Sequence, residues 1–192
     1  MIVSRETSAQ LERLENLIGL WNPKINLVSK RTIEDLRTRH IADSIQVVEA
    51  AGHCETWADL GSGGGFPGIV VAICRPGTEV VLVEADQRKA VFLRRVVGEL
   101  GLNAKVVSSR IEDIEPLHAD VISARALAPL EKLIPLALRH GRPDTRYVFP
   151  KGARFREEIA TARRKWRFEI DVRPSRIDKE AAILIMERIE RA

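Results

Sequence analysis

Apolar positions near the start of the chain fall at Leu11, Leu14, Leu17, Ile18 and Trp21, the three-and-four spacing of one helical face. Ser8 stands where it could cap that helix, and Asn22-Pro23 reads as its end. Leu17, Leu20 and Trp21 are expected in the core rather than as a platform for a stacked base. Thr32-Ile33-Glu34-Asp35 has the spacing of a capping box and predicts a second helix running toward His40. A further helix is expected over Ala42–Ala51, stopping at Gly52.

The rhythm then changes to short apolar runs at Thr56–Leu60, Val80–Glu84, Lys105–Val107, Ala119–Ser123 and Arg146–Phe149. Helical stretches begin between them near Pro67, Gln87, Arg110, Pro129 and Ala153. Strand and helix in alternation predict parallel strands joined by right-handed crossovers. Phe168–Val172 and Ala182–Ile189 follow one another without a helix, so an antiparallel finish is expected. The fold class is therefore α/β: a seven-stranded mixed sheet of Rossmann-like type, helices on both faces and extra helices at the N-terminal end. One domain over 1–192 is expected, a helical part at 1–52 and a ligand-binding core at 53–192.

Composition adds limits. At 192 residues, 45% hydrophobic and 30% charged, the chain is an ordinary globular one. No run approaches the ~20 apolar residues of a membrane span, and "MIVSRETSAQLERLE" lacks the apolar stretch of a secretory leader. Cys54 and Cys74 are too few for a disulfide framework and have no metal spacing, which fits a reducing cytoplasm. Charge is uneven: residues 139–192 hold 15 Lys/Arg against 9 Asp/Glu, the rest 16 against 18. That asymmetry favours a polyanionic partner on one face as much as it does a plain solvated surface.

The candidate chemistry centres on "ADLGSGGGFPG", Ala58 to Gly68, where a strand turns into a helix. A phosphate loop of the Gly-Lys-Ser/Thr kind is excluded, because no such lysine follows. Gly63, Gly65 and Gly68 satisfy a dinucleotide pattern, but Asp59 at the strand end disfavours a pyrophosphate. S-adenosylmethionine, cationic and free of phosphate, suits the stretch better, with Asp59 and Gly63 at the site. Glu84, ending the next strand, is placed to accept a ribose diol. Neither cysteine is placed as a nucleophile for pyrimidine C5 transfer, and the loop of exocyclic-amine methyltransferases is absent from "ISARALAP". Acceptors that need no deprotonation remain, guanine N7 among them. Arg125 and Lys151 fall on the ligand edge, where either could hold a phosphate or a guanine O6, or form an ion pair to Glu112 or Asp113.

"LWNPKINLVS", "RHIADS", "DLGSGGGFPG", "VEADQRKAVFLR", "SRIED", "ISARALAPL" and "PKG" together resemble the family of ribosomal RNA small subunit methyltransferase G, also called glucose-inhibited division protein B. The resemblance covers about Leu20 to Gly152. It implies a cytoplasmic, S-adenosylmethionine-dependent class I methyltransferase acting on N7 of guanine 527 of bacterial 16S rRNA in the small ribosomal subunit. It also implies cofactor contacts at Gly61, Phe66, Ile111, Glu112 and Arg125. Arg39 and His40 of "RHIADS", with Lys151, are expected on the substrate side, and Arg125 and Lys151 as candidates for catalysis. A monomer without a metal is expected. The alternatives are a methyltransferase of the same fold on another substrate, a dehydrogenase, and an RNA-binding or assembly factor without turnover.

Overall fold

The computed structural model describes residues 4–29 and 32–192; Met1 to Val3, the start of the stretch read for a leader, lie outside them. Among the described residues there are six α-helices: α1 (Arg5–Ile25), α2 (Ala42–Ala51), α3 (Gly68–Cys74), α4 (Gln87–Leu100), α5 (Leu130–Leu138) and α6 (Phe155–Ala162). Seven strands make one sheet: β1 (Thr56–Leu60), β2 (Glu79–Val83), β3 (Ala104–Val107), β4 (Ala119–Ser123), β5 (Gly141–Lys151), β6 (Trp166–Pro174) and β7 (Ala182–Arg191). Their order is β3-β2-β1-β4-β5-β7-β6, with β7 antiparallel to both neighbours. The mixed sheet and antiparallel finish expected from the pattern are present.

Alternating side chains of the central strands feed two separate cores, as a period of two requires. Trp57, Val80, Leu82, Ile183 and Ile185 pack with α1–α4 on one face. Ala58, Leu60, Val81, Val83, Leu184 and Met186 pack with α5 and α6 on the other. Buried on both sides, the central strands read as nearly continuous apolar runs, which is why they were legible.

The front of the chain departs from the sequence pattern. The first helix is capped by Ser4, whose Oγ accepts the Thr7 amide at 3.1 Å, and not by Ser8. It runs through Pro23 to Ile25, where Asn26 adopts a left-handed conformation and ends it. Leu20 is 70% exposed, so it is not core; Trp21 packs against Phe92 with ring centroids 5.7 Å apart. Thr32 caps nothing, because its hydroxyl bonds Ser29 and His40 instead. A π-helical turn, Leu36–Ile41, stands in place of the expected second helix and runs directly into α2. The helix expected near Arg110 is one 3-10 turn, Ile111–Asp113, cut short before Pro116, whose ring disfavours a helical Glu115.

Candidate functional site

The sheet order reverses at β1, which pairs with β2 on one side and β4 on the other. Ligands of open α/β sheets bind outside the carboxyl ends of the strands at such a switch point. There the chain from β1 to α3 forms a tight loop whose Gly61 and Ser62 amides bond the Val83 carbonyl at 2.9 and 3.0 Å. Gly61, Gly63 and Gly65 hold positive φ, which side-chain-bearing residues adopt reluctantly. Gly68 is required for a different reason. A Cβ there would lie 2.7 Å from Asp59 Oδ2 and collide with Leu82, so α3 could not start so close to the strand.

Asp59 lies behind the loop and is fully buried. Trp57 Nε1 donates to Ser123 Oγ at 2.8 Å, Ser123 Oγ donates to Asp59 Oδ1 at 2.7 Å, and the Gly68 amide donates to Oδ2 at 3.2 Å. Burial pushes the Asp59 carboxyl up, and those hydrogen bonds, with the Arg125 charge, oppose the shift. Its carboxylate thus caps the start of α3 from inside. Glu84 fixes backbone from the cavity side: Oε2 accepts the Gly63 amide at 2.7 Å and Oε1 the Asp86 amide at 2.8 Å. Two of the amides at this strand-to-helix turn, those of Gly63 and Gly68, are therefore already paired with carboxylates and not free to cradle a pyrophosphate.

Two cavities open on this edge. The larger, about 780 Å³, is bordered by Gly61 to Gly64, Glu84, Ile111, Glu112 and Arg125. His40 and Phe66 also border it. The second, about 530 Å³, is bordered by Arg39, Asp43, Arg125, Lys151, Ser175 and Ile177. Arg125 to Ala128 belong to both and form the wall between them. The expected site residues other than Asp59 therefore border one cavity or the other, with Arg125 at both.

Phe66, joined to Pro67 by a cis peptide bond, is buried between two groups. The His40 ring stacks on it at 5.3 Å, and the Arg125 guanidinium lies 5.1 Å from its centroid. Arg125 is thereby held at the wall by a cation–π contact. His40 Nε2 meets Thr32 Oγ1 at 2.9 Å, and burial pushes its pKa down to about 4, with the Arg125 and Arg39 charges adding to the shift. Its ring is neutral at physiological pH. Lys151 is not a free cation: Nζ donates to the Ala128 carbonyl at 2.7 Å and pairs with Glu158 at 2.9 Å. The partner considered from sequence, Glu112 or Asp113, is replaced by Glu158 because α6 follows β5 immediately.

Asp43 was not singled out from the sequence, although it stands four residues after Arg39 within the same "RHIADS" stretch. Both border the second cavity, whereas His40 borders the first. Burial pushes the Asp43 carboxyl up, opposed by the Ser175 hydrogen bond and by the charges of Arg125 and Arg39. Leu127, at the wall, was missed as well, since an apolar residue in a loop carries no pattern of its own.

The donor set fits S-adenosylmethionine. An ionised carboxylate has about four lone-pair sites, and Glu84 uses two, leaving capacity for ribose hydroxyls. Ile111 offers an apolar border for adenine, and the volume lies in the range of small-molecule sites. Among the described residues, no group of three or more His, Cys, Asp or Glu side chains could hold a metal ion, and no helix is long and apolar enough to cross a membrane.

Residues 7–181 match the model of the GidB family, described as rRNA small subunit methyltransferase G. A protein of Ruegeria pomeroyi named ribosomal RNA small subunit methyltransferase G is 46% identical, over 98% of this chain and 95% of its own. One of the same name from Paracoccus denitrificans is 48% identical, over 96% of each. A mutant of MtNAS in complex with S-adenosylmethionine shares the fold at TM-score 0.65 and 17% identity, over 95% of this chain and 76% of that one. M. jannaschii TYW2 in complex with AdoMet does so at TM-score 0.61 and 16% identity, over 88% and 80%.

Proposed function

The chain belongs to the rRNA small subunit methyltransferase G family, and from that premise we propose that it transfers a methyl group from S-adenosylmethionine to N7 of guanine 527 in bacterial 16S rRNA. The observation that carries the reading is the pair of cavities meeting at Arg125, one suited to a phosphate-free cofactor and one open for an acceptor base. In this reading Glu84 holds the ribose hydroxyls, Ile111 and Glu112 border the adenine, and the backbone of Gly61 and Gly63 shapes the seat. Asp59 acts from behind by fixing Gly68. Phe66 and His40 hold Arg125 at the boundary, where its N–H groups can meet guanine O6. Arg39 stands at the mouth of the second cavity for RNA phosphate, and Lys151 braces the wall segment through Ala128.

S-adenosylmethionine supplies, when bound, a methyl group on a cationic sulfur. The N7 lone pair forms the new bond to carbon while sulfur keeps the electron pair of the old one, and the positive charge passes to the purine. No proton leaves N7, so no general base is required, and the protein contributes by positioning and by fixed electrostatics. We place this reaction in the cytoplasm, in a monomer of a single domain that needs no metal.

The test is made on cells. 16S rRNA from a strain lacking the gene should be missing one 7-methylguanosine on mass mapping, and restoring the gene should return it. A site still modified in the deleted strain overturns the assignment.

A further inference from the structure

The second cavity has a polar constellation that a passive channel for RNA would not need. Asp43 Oδ1 accepts from Gln46 Nε2 at 3.2 Å and from Ser175 Oγ at 3.3 Å. Gln46 is fixed in turn, because its Oε1 accepts the Arg176 amide at 2.7 Å, which settles which way its amide faces. The Asp43 carboxylate is thus oriented from two sides, by α2 and by the β6–β7 connection. No hydrogen bond reaches its Oδ2 among the described residues, and Asp43 borders the second cavity and not the first. Arg125, which borders both, brings a cation to the wall itself. Leu127 and Ile177, 36% and 41% exposed, bring apolar surface to the same cavity from two different segments.

Guanine presents acceptors at O6 and N7 on one edge and donors at N1 and N2 on another. A base with N7 toward the cofactor cavity turns O6 to the wall and its N1–H and N2–H toward the far side. Arginine at the wall and a carboxylate beyond it match that order. Adenine fails it twice, because its exocyclic amine would face the guanidinium and its N1 lone pair the carboxylate. Mismatched polar groups in a closed site discriminate strongly.

We propose that Asp43 is the specificity-determining residue of the acceptor pocket, its carboxylate accepting hydrogen bonds from N1–H and N2–H of a target guanine turned out of the RNA into the second cavity. The assignment rests on the proposed guanine-N7 methyl transfer. It gives Asp43 a second effect: a carboxylate on the N1–H side stabilises the positive charge that reaches the purine as the methyl group arrives. Turning a base out of its stack to reach a pocket is the general solution when chemistry acts on a base.

The test compares wild type with Asp43→Asn on small subunits reconstituted with either guanosine or inosine at the target position, since inosine lacks only the N2 amine. Wild type should methylate the guanosine subunit ~10- to 100-fold faster in kcat/KM, as expected for one hydrogen bond to a charged group. Asp43→Asn should lose most activity on guanosine and bring the ratio of guanosine to inosine close to one. Its Kd for S-adenosylmethionine, measured by calorimetry, should stay within about twofold of wild type, showing that the fold is kept. Where turnover is too slow to follow, the same ratio is read from subunit binding. An unchanged ratio in the variant, or a wild type indifferent to inosine, overturns the role of Asp43. Failure of wild type to methylate the guanosine subunit at all overturns the functional reading beneath it, a different result.

Discussion

Glu84 Oε2 accepts the amide hydrogen of Gly63 at 2.7 Å, so one amide of the glycine loop is already taken by a carboxylate that borders the larger cavity. Glu84→Gln keeps the size but has one acceptor where two are needed, since Oε1 also takes the Asp86 amide. One backbone donor then loses its partner and the ribose loses a charged acceptor. The expected result is a loss of about 1.5–3 kcal/mol in binding, seen by calorimetry as a Kd for S-adenosylmethionine raised about tenfold or more. An unchanged Kd would remove Glu84 from the cofactor site.

Ser123 joins Trp57 to Asp59 in the interior, facing Asp59 directly across the parallel pair β1–β4. Ser123→Ala leaves the indole N–H and one carboxylate oxygen without that partner. Each orphaned buried group costs about 1–3 kcal/mol, so denaturant titration should show a loss of at least ~1 kcal/mol. A variant as stable as wild type would mean that the chain of hydrogen bonds contributes nothing.

Lys151 separates two roles. Its charge is matched by Glu158, whose Oε2 also accepts the Leu130 amide at 2.8 Å, and its amine holds the Ala128 carbonyl. Lys151→Ala should therefore lower stability by about 1–3 kcal/mol and slow methyl transfer, while the salt dependence of RNA binding stays as it is. A slope reduced by about one would instead mark a direct phosphate contact.

His40 gives a pH prediction. Its pKa in the folded protein, about 4, lies below the ordinary 6.5, so the unfolded chain takes up this proton first on acidification. The stability tied to the neutral ring is complete above about 6.5 and is lost as pH falls toward 4. The His40 ring resonances in NMR spectra should stay those of the neutral form from pH 8 down to about 5. A midpoint near 6.5 would contradict the buried stack on Phe66.

The legible parts of this molecule are those where one physical cause dominates. β1 and β4 have the bounds expected from their apolar runs, because both faces of those strands are buried. The glycine loop was visible for a related reason: nothing but backbone geometry and close approach explains five glycines in eight positions. What the sequence concealed lies where tertiary partners override local preference. Thr32 has a capping residue's chemistry but spends its hydroxyl on His40 and Ser29. Asp59 looked like a ligand-facing acid, yet Ser123 and Gly68, 64 and nine residues away along the chain, draw it inward. Lys151 was read as holding a phosphate or guanine O6, or pairing with Glu112 or Asp113, and α6 brings Glu158 beside it instead. Asp43 was hidden because its meaning depends on the β6–β7 connection and on a cavity that no local pattern announces.

Methyl transfer to a guanine N7 across the Arg125 wall can be measured directly. The most direct measurement supplies the purified protein with labelled S-adenosylmethionine and small ribosomal subunits from cells lacking the gene, then maps the label to base and atom. One label per subunit is expected, at N7 of guanine 527 of the 16S rRNA. Binding without incorporation, or label on another atom or another RNA, would contradict it.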